Sequence, residues 1–156
     1  MQVRPERAAR IVALVSPLPP RDPTSALNDA LNELIDVVRE VKQARWRAAP
    51  TRTLHADLDK LFEDLAAWAR LLVDQDEQLG VSPLAFMPSG ADRKPPEAWP
   101  AAASDEEIRG VVAESLARLR SHVAAALDRQ GEGPSRAALA EVDRGLVAHL
   151  RTLGEP

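Results

Sequence analysis

The sequence predicts an all-α protein, a four-helix bundle with one long crossover between helices two and three. Prolines divide the chain into four proline-free windows, each window has apolar residues at helical spacing, and one connection is much longer than the other two. The apolar residues are mainly Ala, Leu and Val, and Tyr is absent. This composition favours packed helices over a sheet, which would use more aromatic and β-branched side chains.

The 13 prolines limit the helices because proline removes a backbone hydrogen bond and clashes with the preceding turn. Helices are predicted at about residues 23–47, 54–79, 105–130 and 135–153. Residues 1–21 form a predicted N-terminal extension, and residues 22–156 form the bundle.

The first two helices have clear start or stop signals. Asp22 before Pro23 is a predicted N-cap for the first helix, and Thr53 is a candidate cap for the second. Gly80 follows the second helix as a C-terminal stop signal. The predicted core positions are Leu27, Leu31, Leu34, Ile35, Val38 and Val41, then Leu54, Leu58, Leu61, Phe62, Leu65, Trp68, Leu72, Val73 and Leu79.

The last two helices repeat the pattern. Ser104 and Glu107 have the spacing of a capping box before the third helix, and the fourth follows Pro134 and Ser135. The predicted core positions are Ile108, Val111, Val112, Leu116, Leu119, Val123 and Leu127, then Leu139, Val142, Leu146, Leu150 and Leu153.

The connections predict the topology. Residues 48–53 and the short segment before Pro134 are brief enough to form two antiparallel hairpins. Residues 81–103, rich in Pro and Gly, form the predicted crossover. A bundle with one such long connection has the ferritin-like plan.

Charge and composition exclude several function classes. The net charge of −4 argues against binding polyanions over the whole surface, and the absence of cysteine excludes disulfides and thiolate metal sites. No apolar run approaches the ~20 residues that cross a bilayer. We therefore expect a cytoplasmic protein with no membrane segment.

A metal site in this chain must use His, Asp or Glu. His55 and Asp59 are four residues apart and share a helix face, so they are a candidate ligand pair. The alternative is a polar pair favoured by the start of the helix, together with Asp57. His122 and His149 stand alone, and we expect ordinary polar roles for both.

Residues 42–47 (KQARWR) and 54–59 (LHADLD) resemble two motifs of the Dps family, the starvation-type DNA-binding mini-ferritins. The first segment is similar to the family's Lys-x-x-His-Trp-Asn and the second to its Leu-His-x-x-x-Asp. Where the family has Asp-x-x-x-Glu and then Leu-Gly-Gly, this chain has Arg70, Asp74 and residues 79–81 (LGV). The similar order of helices covers residues 27–153, with a slightly shorter loop before His55.

The resemblance implies a cage-forming homo-oligomer, at least a dimer and a dodecamer if a true mini-ferritin, related to iron storage and oxidative-stress protection. The family's iron-oxidising centre lies at a dimer interface. His55 and Asp59 match its ligands, and Asp74 stands in place of Glu. Arg45 and Arg70 replace a His and an Asp, and arginine does not ligate cations. We therefore expect ion pairs with Asp59 and Asp74 in place of iron, and impaired iron oxidation.

The resemblance also implies DNA binding, and two other classes of protein compete with it. The family binds DNA through basic tails, which assigns Arg4, Arg7 and Arg10 to a candidate DNA contact. One alternative is a metal-free helical oligomerisation or interaction protein. Another is a metal-binding bundle of the DinB-like kind, a family whose metal site uses three histidines. Oligomeric mass and bound metal distinguish these classes.

Overall fold

A computed structural model describes residues 23–49, 52–78 and 104–154. It has four helices there: α1 (Pro23–Arg47), α2 (Thr53–Gln78), α3 (Asp105–Arg129) and α4 (Pro134–Gly154). These ranges hold no strand, which confirms the all-α, four-helix prediction. The predicted extension, the crossover, Asp22, Leu79 and Gly80 lie outside the described residues.

The helices pack in a square in which α1 contacts α2 and α3, and α4 contacts the same two helices. Arg52 lies 3.3 Å from Asp105, so α2 and α3 begin at the same end of the bundle. The Gln130 side chain donates to the carbonyl of Pro23 at 2.8 Å, so α3 ends where α1 begins. Hence α2 and α3 lie on a diagonal of the square and run in the same direction. The end of α2 and the start of α3 are therefore at opposite ends of the bundle.

The helix ends follow local rules with one exception. Ser104 is the N-cap of α3, and its hydroxyl accepts from the Glu107 N–H at 3.2 Å, as the capping-box spacing predicts. Thr53 is the first residue of α2 rather than its cap, so that prediction is wrong. The Arg52 carbonyl already accepts from the His55 N–H at 3.1 Å, which starts the helix one residue early.

The core is an aliphatic column between the four helices. Thirteen of its leucine and isoleucine side chains are less than 2% exposed: Leu27, Leu31, Leu34, Leu54, Leu58, Leu61, Leu65, Leu72, Ile108, Leu116, Leu119, Leu139 and Leu146. Each such burial contributes about 1.5–3 kcal/mol before the entropy of ordering is subtracted.

Val111 is the predicted core residue that the structure contradicts, since it is 42% exposed. It lies one turn before Ser115, whose hydroxyl donates to Glu40 of α1. Two turns along α3, Arg118 pairs with the same carboxylate at 2.9 Å. This edge of α3 therefore meets α1 through polar side chains, and Val111 stays at the rim.

None of the four described helices is long and apolar enough to cross a membrane.

Candidate functional site on the α1–α2 hairpin

An ion pair joins the end of α1 to the start of α2. Arg45 Nε contacts Asp59 Oδ1, and the side chains are 30% and 41% exposed. The Arg45 guanidinium also stacks over the ring of Phe62, 5.1 Å from its centre, a cation–π arrangement. The Asp59 charge is therefore compensated by a cation that stays protonated at every physiological pH.

His55 completes this cluster. Its Nε2 lies 3.6 Å from Asp59 Oδ2, and its Nδ1 lies 3.3 Å from the carbonyl oxygen of Ala48. Both ring nitrogens of His55 therefore face oxygen atoms, one a backbone carbonyl and the other the Asp59 carboxylate, with the Arg45 guanidinium beside them.

The residues gathered here do not fit an iron ion within one chain. They supply one imidazole and one carboxylate, and Arg45 already occupies one oxygen of that carboxylate. No group of three His, Asp or Glu side chains close enough to hold a metal occurs in residues 23–49, 52–78 or 104–154. Carboxylate and imidazole sites for transition metals ordinarily use at least three protein donors.

Arg70 and Asp74 lie farther along α2 and are exposed. Eleven residues separate Asp59 from Arg70, about 16 Å at the helical rise of 1.5 Å per residue. Arg70 Nε donates to the carbonyl of Ala66 at 3.5 Å, and within the described chain it pairs with no carboxylate. Within the described chain Arg70 therefore does not form the expected ion pair with Asp74, and ion pairs between two chains stay a prediction.

The other histidines have separate carboxylate partners. His149 Nε2 lies 2.7 Å from Asp64 Oδ2, and His122 Nε2 lies 3.7 Å from Glu33. Both therefore have polar roles, as expected, and the three histidines do not converge on one site. Arg4, Arg7 and Arg10 lie outside the described residues.

Sequence reasoning missed the cluster around Asp64. This carboxylate accepts from Lys60 Nζ at 2.9 Å and bonds to His149 across the α2–α4 contact. Burial alone would raise the pKa of Asp64, but the hydrogen bonds to Lys60 and His149 outweigh it and lower the pKa. The Lys60–Asp64 spacing of four residues was the available signal, whereas the partner on α4 required the fold.

A second missed network ties α1 to α3. Arg118 lies between Glu33 and Glu40, and the buried Ser115 hydroxyl donates to Glu40. The hydrogen bond to Glu33 is the main reason that the pKa of Arg118 is raised.

Comparison with known protein families and with curated proteins finds no match for this chain.

Proposed function

We propose that the chain is a mini-ferritin-like, cage-forming subunit of the Dps type, in which an ion pair has replaced the iron-oxidising site. The observation that carries the proposal is the contact of Arg45 with Asp59 beside His55. These are the positions at which the Dps resemblance implies a His, an Asp and a His as iron ligands.

The electrostatics of Arg45 argue against iron at this position. A divalent cation on Asp59 would stand beside a permanent positive charge, and its binding would have to displace the guanidinium from the carboxylate. The displaced group would keep its stacking on Phe62 but lose its charged partner. The ion pair therefore disfavours ferrous iron and joins α1 to α2 without it.

The helix directions support the ferritin-like plan. The chain leaves α2 at one end of the bundle and enters α3 at the other. Two antiparallel hairpins joined by one long connection define that plan among four-helix bundles.

The α1–α2 face, which we define as Ile35, Val38, Phe62, Ala69 and Val73, supports self-association. All five are apolar and only partly buried against the core. Trp46 at the end of α1 is 77% exposed, with Lys42 Nζ 5.6 Å from its ring. Exposed tryptophan and partly exposed apolar side chains are typical of interfaces between subunits.

The experiment is the mass in solution of the full chain, compared with two matched variants. Val73→Asp places a charge on the α1–α2 face, whereas Val147→Asp places one on a similarly half-buried position of α4. The proposal predicts a dodecamer for the unmodified chain, dissociation by Val73→Asp, and no dissociation by Val147→Asp. A monomer at micromolar concentration, or equal effects of the two variants, would refute assembly through this face.

A metal-free interaction protein is the second candidate, and the ion pair favours it equally. The two candidate functions differ in oligomeric state, because a plain interaction module would stop at a dimer.

The DinB-like metal-binding bundle has less support than these two functions, since His55, His122 and His149 each meet a different carboxylate. A dimer containing bound divalent metal would revive it.

A further inference from the structure

The outer surface of α2 carries a row of charged side chains with an alanine at its middle. Five exposed residues recur at steps of three or four, so they share one side of the helix. We call this set the α2 stripe: Lys60, Glu63, Ala67, Arg70 and Asp74. Val73 of the α1–α2 face lies one turn after Arg70, so the stripe borders that face.

The charges of the α2 stripe are only partly satisfied within the described chain. Lys60 pairs with Asp64 at 2.9 Å, but its ammonium group has three donors and its side chain is 67% exposed. Glu63, Arg70 and Asp74 form no ion pair with any residue in the ranges 23–49, 52–78 and 104–154. Two cations and two carboxylates of the stripe are therefore open to charged partners from another molecule.

The order of these charges is self-complementary. Lys60 and Asp74 lie seven residues before and seven residues after Ala67, and their charges are opposite. Glu63 lies four residues before Ala67 and Arg70 three residues after it, again with opposite charges. An identical helix laid antiparallel across Ala67 therefore meets each charge of the stripe with the opposite charge. A parallel copy would instead bring like charges level with each other.

The middle of the α2 stripe also permits close approach. Ala66 and Ala67 follow each other there, and Ala67 is exposed. Small side chains at the crossing point let two helix axes approach to about 8 Å, the lower end of the usual range. The longer charged side chains one and two turns away then reach the facing helix.

We propose that the α2 stripe is the surface on which a second copy of this chain docks antiparallel. Arg70 of each chain pairs with Glu63 of the partner subunit. Lys60 pairs in the same way with Asp74 of the partner subunit. Two-fold symmetry makes each of these ion pairs occur twice, and such pairs set the orientation and register of docked helices. The inference rests on the self-association proposed above and adds its direction.

Cross-linking tests the direction, because the chain contains no cysteine of its own. Ala67→Cys places a thiol beside the two-fold axis, so a short bismaleimide should link two copies of the full chain. Ala56→Cys is the matched control, an exposed position on the same side of α2 and 11 residues from Ala67. Antiparallel docking holds its two thiols about 30 Å apart, so no link should form. Linkage of Ala56→Cys, or its absence in Ala67→Cys, would overturn the proposal.

A charge exchange tests the pairing. Glu63→Arg sets two arginines against each other at both symmetric positions, and it should weaken association of the copies by about tenfold or more. Adding Arg70→Glu makes the facing charges opposite again and should recover most of the loss. The control Glu141→Arg makes the same change at an exposed position of α4 and should have no effect. Sedimentation equilibrium measures all four proteins, and failure of the double variant to recover would contradict the pairing.

The outcomes also separate this docking from the proposed assembly as a whole. An oligomeric unmodified chain whose Ala67→Cys variant does not cross-link would overturn the antiparallel contact and leave self-association standing. A monomeric unmodified chain at micromolar concentration would overturn both.

Discussion

Asp64 of α2 and His149 of α4 form a 2.7 Å hydrogen bond that joins two antiparallel helices midway along the bundle. Trp68, one turn beyond Asp64, meets the same imidazole edge-on with ring centres 6.1 Å apart. The contact between α2 and α4 therefore combines a charged hydrogen bond with aromatic packing, and both components can be tested separately.

Asp64→Asn should lower the free energy of unfolding by about 1–2 kcal/mol at pH 7, because it removes a charged acceptor shared by Lys60 and His149. The pKa of Asp64 is lowered in the folded state, so its contribution is present above about pH 4 and is lost as the pH falls further. Urea unfolding at pH 7 and pH 3 measures the difference. An equal cost at both pH values would contradict this account.

Gly145→Ala should lower the free energy of unfolding by about 1–3 kcal/mol, because a Cβ at Gly145 would overlap the buried indole of Trp68. Gly110→Ala is the matched control, since a Cβ there meets nothing within 4 Å. The control should stabilise the helix by about 0.5–1 kcal/mol. Thermal unfolding of both variants measures the two effects. Changes of the same sign in the two melting temperatures would refute the close packing of α2 on α4.

Ser104→Ala should cost about 1 kcal/mol of stability, because the Ser104 hydroxyl accepts from the Glu107 N–H at the start of α3. Ser121→Ala provides the control, since Ser121 is an exposed mid-helix residue that bonds only back to Ala117. Urea unfolding of both variants measures the difference. Equal stability of the two would show that Ser104 does not cap α3.

The fold was readable from the sequence because proline positions and apolar periodicity are local signals. They gave four helices with ends at most one residue from those observed in the described chain. Val111 escaped this reasoning because it matches the periodicity, while the polar contacts of Ser115 and Arg118 with α1 keep it at the rim. Such contacts join residues distant in sequence.

The candidate site was predictable only in part. Ion pairs with Asp59 and Asp74 were expected because arginine stands at two matched positions, and the structure places Arg45 in contact with Asp59. The isolation of Arg70 within one chain did not follow, because sequence spacing does not tell which donors converge. Asp76 near the end of α2 is fully buried, and nothing in the sequence indicated this, since a single acidic residue near a helix end is ordinarily exposed.

The central claim, that an ion pair has replaced the iron site, is tested most directly by the rate of Fe²⁺ oxidation in air at micromolar metal. The account predicts that the unmodified chain oxidises Fe²⁺ no faster than protein-free buffer. Arg45→His combined with Arg70→Asp, which supplies the two donors that the Dps resemblance implies, should raise the rate by about tenfold or more. The control pair Arg144→His and Arg151→Asp changes exposed arginines of α4 and should not. Rapid Fe²⁺ oxidation by the unmodified chain would contradict the claim.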